Sequence, residues 1–327
     1  MNDKSKVNAP LVSVLIPVYN VERYVEKALK SIAQQTHSNL QVIVVDDCST
    51  DGTLAIVEKF CAGDARFSVI RNERNMHIVK SLNRAIEVAR GDFFARCDGD
   101  DVMEVDRIER QLAFLKENPE IGLVGCSLKF IDECDMPINS YEFPSGAALT
   151  GKLLRYSTAV SHIWLAKREV YDVVGGYRMP TVEDYDFLLR AHLAGFKLDN
   201  IPGYYGMHIR VRTDNTVGKY GVIQRKLFNY ARAVHRAEKS GNTRFYNEAA
   251  VDEIIANGKR GLLAKMHYLS DQVSYLASVR PKGIGKYLLI VGAALLSPYK
   301  FQYYLFATLR QQIIRRNSAS HVLALPK

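Results

Sequence analysis

The feature that most constrains this 327-residue chain is an alternation running through its first 125 residues. Short apolar, β-rich runs take turns with stretches whose apolar residues recur at helical spacing. "LVSVLIP" (11–17) reads as a strand. Val25, Ala28, Leu29 and Ile32 then fall at i, i+3, i+4 and i+7, the stripe of an amphipathic helix. "LQVIVVD" (40–46), "RFSVIR" (66–71), "DFFAR" (92–96) and "IGLVGC" (121–126) predict further strands, with helices near 53–62, 78–89 and 104–117. Such alternation predicts an α/β fold: a mainly parallel central sheet with right-handed crossovers and flanking helices. Ligands of these sheets bind outside the carboxyl ends of the strands. That rule singles out "PVYN", "DDCSTDGT", "ERNMH" and "CDGDD", which follow the first four strands.

The rest of the chain is less regular. "KFIDECDMP" suggests a hairpin, and "SHIWLAKREVYDVVGGYR" a strand, a helix and a glycine turn. A helix over 183–196 opens with "EDYD", and 219–280 reads as helical with mixed charge. The expected division is a catalytic domain over 1–218, a helical appendage over 219–280 and a basic amphipathic segment over 281–327. Five scattered cysteines without a CxxC pair argue against a disulfide framework or zinc knuckle and fit a reducing compartment. The N-terminus has a short apolar run and no small-residue cleavage site, so no signal peptide is expected.

Charge is unevenly placed. The net charge is +9, yet after Asp271 come eight basic residues and no acid. A basic tail seeks phosphates, of lipid headgroups or of nucleic acid. The uncharged run "YLLIVGAALLSPY" (287–299) is shorter than the roughly 20 apolar residues of a spanning helix. Pro298 and Lys300 interrupt any extension to Leu309. "YKFQYYLFATLRQQIIRR" then mixes aromatics with basics, which predicts an interfacial helix on an anionic membrane surface. A re-entrant or spanning hairpin and a docked core helix are the alternatives. Nucleic acid is disfavoured, because the aromatics sit among long aliphatic runs rather than in a basic groove.

Two carboxylate groups stand out. Asp98, Asp100 and Asp101 crowd the end of the fourth strand, where like charges repel and folding gains nothing. Hard divalent cations take such oxygens, Mg²⁺ with one or two carboxylates and substrate phosphates. Gly99 lets the chain turn between them. A solvated turn capping the next helix is the structural alternative. In "PTVEDYDFLLR" (180–190), Asp184 lies in the first turn of a helix. Acids there suit the helix dipole, or one of them serves as a general base toward a hydroxyl. Asp47 can accept from a base N–H or close a turn, and Tyr19 can stack on a nucleobase or sit half-buried in the core. The chain has no GxxxxGK[ST] loop, no GxGxxG after the first strand, no HExxH and no GxSxG elbow.

In order, "VSVLIPVYN", "VIVVDDCSTDGT", "GDFFARCDGDD", "NPEIGLVG", "VGGYR" and "VEDYDFLLR" resemble family 2 glycosyltransferases of the GT-A fold, the kind that build bacterial surface polysaccharide and lipopolysaccharide. The resemblance covers about residues 10–216. It implies inverting transfer from a nucleotide-diphosphate sugar, with UDP favoured over GDP and dTDP, to a hydroxyl of a glycan or lipid-linked glycan. It implies Tyr19 on the base, Asp47 hydrogen-bonded to it, and Asp98 and Asp100 on ribose and metal with Asp101 assisting. Mn²⁺ or Mg²⁺ would be the cofactor, and Asp184 the catalytic base. With the interfacial tail, a lipid-linked acceptor leads us to expect a peripheral protein on the inner, cytoplasmic face of the cytoplasmic membrane. A sugar nucleotidyltransferase and a catalytically silent membrane-bound partner are the competing readings. Two positions depart from the family pattern. His77 stands where a glycine is common, and Arg212 stands where a histidine is common and would meet phosphate directly. His208 offers another imidazole.

Overall fold

The computed structural model describes residues 9–212, 216–242, 245–258, 260–278 and 283–322. The first eight residues, and Arg280, Lys282 and Lys327 of the basic tail, lie outside the described residues. β1 (Val12–Val18), α1 (Val25–Ala33), β2 (Leu40–Asp46), α2 (Thr53–Gly63), β3 (Phe67–Arg71), α3 (His77–Val88) and β4 (Phe93–Arg96) follow the expected alternation within a residue or so. They pair in parallel in the order β3-β2-β1-β4, with Val12 opposite both Leu40 and Phe93. Val12, Val14, Leu15 and Ile16 are fully buried, because helices cover both faces of such a sheet. α1 buries Val25, Ala28, Leu29 and Ile32, the residues its spacing selects.

Beyond β4 the direction changes. β5 (Val102–Met103), α4 (Arg107–Glu117), β6 (Ile121–Ile131), β7 (Pro137–Tyr141), α5 (Ala147–Leu153), β8 (Leu165–Lys167), α6 (Arg168–Val174), α7 (Glu183–Leu193) and β9 (Lys197–Arg210) follow in sequence. The full order is β3-β2-β1-β4-β8-β6-β9-β5, with β7 hairpinned onto β6. β8 runs antiparallel to β4 and β6, while β6 and β9 are parallel. The sheet is therefore parallel in its first half and mixed in its second. β9 has no counterpart in the sequence reading. Pro202 and Gly203 interrupt its pattern, and register shifts at Gly125/Ser127 absorb the irregularity.

An aromatic floor positions α7. Trp164 stacks on Phe187 at 5.4 Å, and its Nε1 donates to the Tyr171 hydroxyl at 3.0 Å, which meets the Tyr177 hydroxyl at 3.0 Å. Buried aromatics with satisfied polar ends fix both position and orientation. Arg190 donates to the carbonyls of Val174 and Gly176, and so ties the "VGGYR" turn to the same helix.

The chain divides into two compact units, residues 1–151 with 158–213, and residues 152–157 with 214–327. The second holds α8 (Thr216–Lys239), α9 (Glu248–Asn257), α10 (Leu262–Ser278), α11 (Ile284–Leu296) and α12 (Pro298–Val322). Ser297 separates α11 from α12, and Pro298 opens the new helix where its missing N–H costs nothing. Ser270 Oγ donates to the Ala293 carbonyl, which sets one face of α11 against α10. Ile284, Tyr287, Leu288, Val291 and Leu295 line the other face and are 55–80% exposed. Among the described residues, no helix is long and apolar enough to cross a membrane.

Candidate active site

All the candidate residues lie in the first unit, at the carboxyl edge of its sheet. β1 is flanked by β2 and β4, so the loops after these strands are neighbours. This is the crevice where the strand order reverses. Asp47 follows β2. Its N–H donates to the Val18 carbonyl at 2.9 Å, and its Oδ1 accepts from Asn72 Nδ2 at 2.6 Å and Met76 N at 2.7 Å. The carboxylate is thus buried and held by the loop after β3. Its neighbour Asp46 accepts from Ser49 N at 3.2 Å, and its Oδ1 is buried without a hydrogen-bond partner. Tyr19 is 43% exposed and free to offer a ring face.

Three non-glycine residues here adopt left-handed backbone: Asn20 (φ 50°), Cys48 (φ 63°) and His77 (φ 64°), one after each of β1, β2 and β3. Thr181, just before α7, has φ 68°. Such conformations cost energy and concentrate at functional sites. They also explain one departure from the family pattern. The position of His77 requires positive φ, which glycine adopts freely.

The acidic turn after β4 is enclosed by cations. Arg96 is 2% exposed and grips Asp98 with two bonds, Nε to Oδ1 at 2.8 Å and Nη2 to Oδ2 at 3.1 Å. Burial opposes the charge on Asp98, but Arg96, with His162 adding, holds its carboxyl below the usual range. Arg212 Nε lies 3.2 Å from Asp100 Oδ2. Burial and Asp98 raise Asp100 against the pull of Arg212. Asp101 accepts from Arg210 N at 2.9 Å, and burial, then Asp100 and Asp98, push it well above the carboxylate range. The chain turns at Gly99 as expected, with Asp101 N donating to the Asp98 carbonyl at 3.1 Å, and a Cβ there would meet Val18 Cγ1 at 2.6 Å.

Ligand atoms of Asp98, Asp101 and His162 lie within 4.8 Å of one another. Burial, then Arg96, lowers His162 to about 4, so the imidazole is neutral and able to ligate at pH 7. Two carboxylates and a neutral imidazole, with Asp101 otherwise unfavourably charged, form a donor set that fits a divalent cation. Sequence reasoning selected Asp98, Asp100 and Asp101. The structure instead turns Asp100 to Arg212 and brings in His162, which the sequence reading passed over. Its only sequence signal is a polar pair, "SH", before a buried strand. His208 points elsewhere, with Nε2 2.8 Å from Glu104 Oε1.

Asp184 begins α7, beside the buried Glu183. Glu183 Oε1 accepts from Arg96 Nη1 at 3.2 Å. Burial, then repulsion from Glu183, raises Asp184 to about 7, with Arg96 opposing. A carboxylate with that proton affinity is matched to take a proton near neutral pH.

The comparisons with known proteins agree with this layout. The family model described as glycosyl transferase family 2 matches residues 13–175. A Bacillus subtilis protein, "Putative glycosyltransferase EpsE", is 31% identical over 199 residues, covering 59% of this chain and 71% of that protein. The chain belongs to glycosyl transferase family 2. An uncharacterized glycosyltransferase of Haemophilus influenzae is 32% identical over 192 residues, 55% of this chain and 59% of its own length. The chain thus spans about three-fifths of that relative. This family 2 chain also shares its fold with the crystal structure of S. aureus TarS 1–349 in complex with UDP-GlcNAc, at TM-score 0.58 and 20% identity over 94% of this chain and 92% of that one. It likewise matches a mannosyltransferase, PcManGT from Pyrobaculum calidifontis, in complex with GDP-Man and Mn²⁺, at TM-score 0.53 and 19% identity over 94% and 87% of the two chains. The GT-A fold is shown by these matches together with the strand order.

Proposed function

We propose that the chain transfers a sugar, with inversion, from a nucleotide-diphosphate sugar to a hydroxyl of a glycan or lipid-linked glycan in surface polysaccharide synthesis. The observation that carries this reading is one cluster: Arg96 holds both the donor-side Asp98 and Glu183, and Asp184, next to Glu183 in the chain, is raised to about 7 by burial and by that neighbour. Asp184 takes the proton of the acceptor hydroxyl. The acceptor oxygen bonds to the sugar's anomeric carbon as the bond to the diphosphate breaks, and the nucleotide leaves with that bonding pair. One displacement inverts the carbon and needs no enzyme nucleophile.

In this reading Asp47 accepts from a base N–H, and the exposed Tyr19 stacks on the base. Asp98, Asp101 and His162 would hold a divalent cation, with Asp100 and Arg212 beside it. A bound cation would act as a Lewis acid on the leaving diphosphate. A nitrogen among the donors favours Mn²⁺ over Mg²⁺, and the PcManGT complex contains Mn²⁺. The TarS complex with UDP-GlcNAc supports UDP as the first nucleotide to try.

The second unit fits a place on the inner face of the cytoplasmic membrane. The outward stripe of α11 offers apolar area, and the acid-free tail offers charge to anionic headgroups.

Calorimetric titration of UDP, GDP and dTDP, with and without Mn²⁺, tests the donor site. Asp100→Ala and Asp47→Ala proteins run alongside. Metal-dependent binding of one nucleotide, weakened in both variants, is the expected result. Binding of none by folded protein would favour the silent-partner reading. A sugar nucleotidyltransferase is disfavoured because "PVYN" after β1 is neither glycine-rich nor basic.

A further inference from the structure

Arg96, next to the acidic turn, and Glu183, next to the base, are 87 residues apart in sequence, yet the Arg96 side chain touches both Asp98 and Glu183. Arg96 is 2% exposed, so its charge has no help from solvent. The Nε/Nη2 edge of its guanidinium is committed to both oxygens of Asp98, and Nη1 to Oε1 of Glu183. Its backbone is fixed as well. The Arg96 N–H donates to the Trp164 carbonyl at 3.4 Å, and the Arg96 carbonyl accepts from Arg107 Nη1 at 3.1 Å. A rigid planar fork held at both ends transmits a displacement of one carboxylate to the other. A lysine ammonium, with a flexible stem and no fork, cannot hold two carboxylates in fixed relative geometry.

We propose that Arg96 is a positioning residue that sets the donor-side carboxylate Asp98 and the base-side carboxylate Glu183 as one unit, so that the donor end and the Asp184 end of the site adjust together. The bland alternative is a structural ion cluster that contributes to folding and nothing else. The two differ in what Glu183 does to nucleotide binding. In a structural cluster, substitutions at Asp98 and Glu183 act on UDP affinity independently. In the linked unit their effects are coupled, and the coupling passes through Arg96.

The test is a mutant cycle on the full chain, read as the UDP dissociation constant by calorimetry with Mn²⁺. Asp98→Asn, Glu183→Gln and the double variant are measured with Arg96 present, and again with Arg96→Lys. With Arg96 the effects should depart from multiplicativity by about threefold or more, as groups in one hydrogen-bond network do. With Arg96→Lys the departure should fall below about twofold, the range of independent sites. Rescue of UDP coupling by lysine, or multiplicative effects in the native background, would overturn the link. Near-ultraviolet circular dichroism checks that each variant is folded. The proposal rests on the glycosyltransferase reading for its readout. If wild-type protein binds no nucleotide, that reading fails, and the link is decided by the Mn²⁺ dissociation constant of the same cycle, which a cluster serving folding alone would not couple. Coupling there that vanishes with Arg96→Lys supports it, and multiplicative effects sink it.

Discussion

Asp98 and Asp184 face the same crevice, and they hold protons in opposite ways. At the end of β4, three aspartates meet Arg96, Arg210 and Arg212, and Asp98 stays below the ordinary range. At the start of α7, two acids share a single contact from Arg96, and Asp184 rises to about 7. Burial pushes Asp98 and Asp184 the same way, so the difference lies in the two bonds from Arg96 to Asp98 and in the repulsion of Asp184 by Glu183. Asp98 is set to keep its charge; Asp184 is set to exchange a proton.

The sharpest way to break this contrast is Asp184→Asn. Transfer should fall by about a thousandfold, within the range of general base catalysis, while UDP affinity stays within about twofold. Initial rates and calorimetry check this, and an unchanged rate would remove Asp184 from the chemistry. Asp98→Ala should give the reverse pattern, with UDP affinity in Mn²⁺ down by roughly ten- to a hundredfold, the loss typical of disturbed metal surroundings. Equal behaviour of the two variants would erase the distinction.

A third prediction leaves the crevice and contrasts the two units. Leu288→Glu with Leu295→Glu should cut binding to phosphatidylserine vesicles about tenfold, since two exposed Leu contacts contribute together at least that much. Vesicle sedimentation measures it. Retained binding would move the contact away from α11.

The pH dependence follows from the same contrast. Asp184 must be unprotonated to act, so kcat/KM should rise with pH to a plateau, with a midpoint near 7. A midpoint near 4 would mean that Asp184 carries an ordinary carboxyl.

The last effect is on stability. The folded form of Asp184 holds its proton up to about 7, whereas an unfolded aspartate releases it near 4. The native state therefore binds more protons between about pH 4 and 7, and stability falls as pH rises through that window. An asparagine side chain does not titrate and escapes that penalty. Asp184→Asn should thus be more stable than wild type at pH 8, by at most the roughly 4 kcal/mol that a shift of three pH units carries, with no difference at pH 3. Urea unfolding at the two pH values checks both the size and the sign.

The parallel half of the fold was legible in sequence because its strands are continuously apolar and its helices keep a clean stripe, as in α1. β9 was not, because Pro202 and Gly203 break its pattern and its partner β6 shifts register to fit. Asp98, Asp100 and Asp101 announced themselves by crowding. Arg96 did not, since one charged residue in "FFARC" reads as the solvent side of a strand. Its burial rests on Asp98 together with Glu183, which lies far away in sequence. His162 is hidden for a related reason. An isolated histidine carries no signal until folding brings Asp98 and Asp101 beside it.

Arg107 lies under the crevice on α4, fully buried, and donates to the carbonyls of Arg96, Ile163 and Trp164 as well as to Gln111. All its donors go to the main chain or to neutral groups, so it joins the end of β4 to the segment bearing His162 without favouring any ligand. Change in this strand pair would strand a buried charge, a heavy penalty. The end of β4 and the segment bearing His162 are thus riveted at one buried point, and a shift of either must carry the other with it.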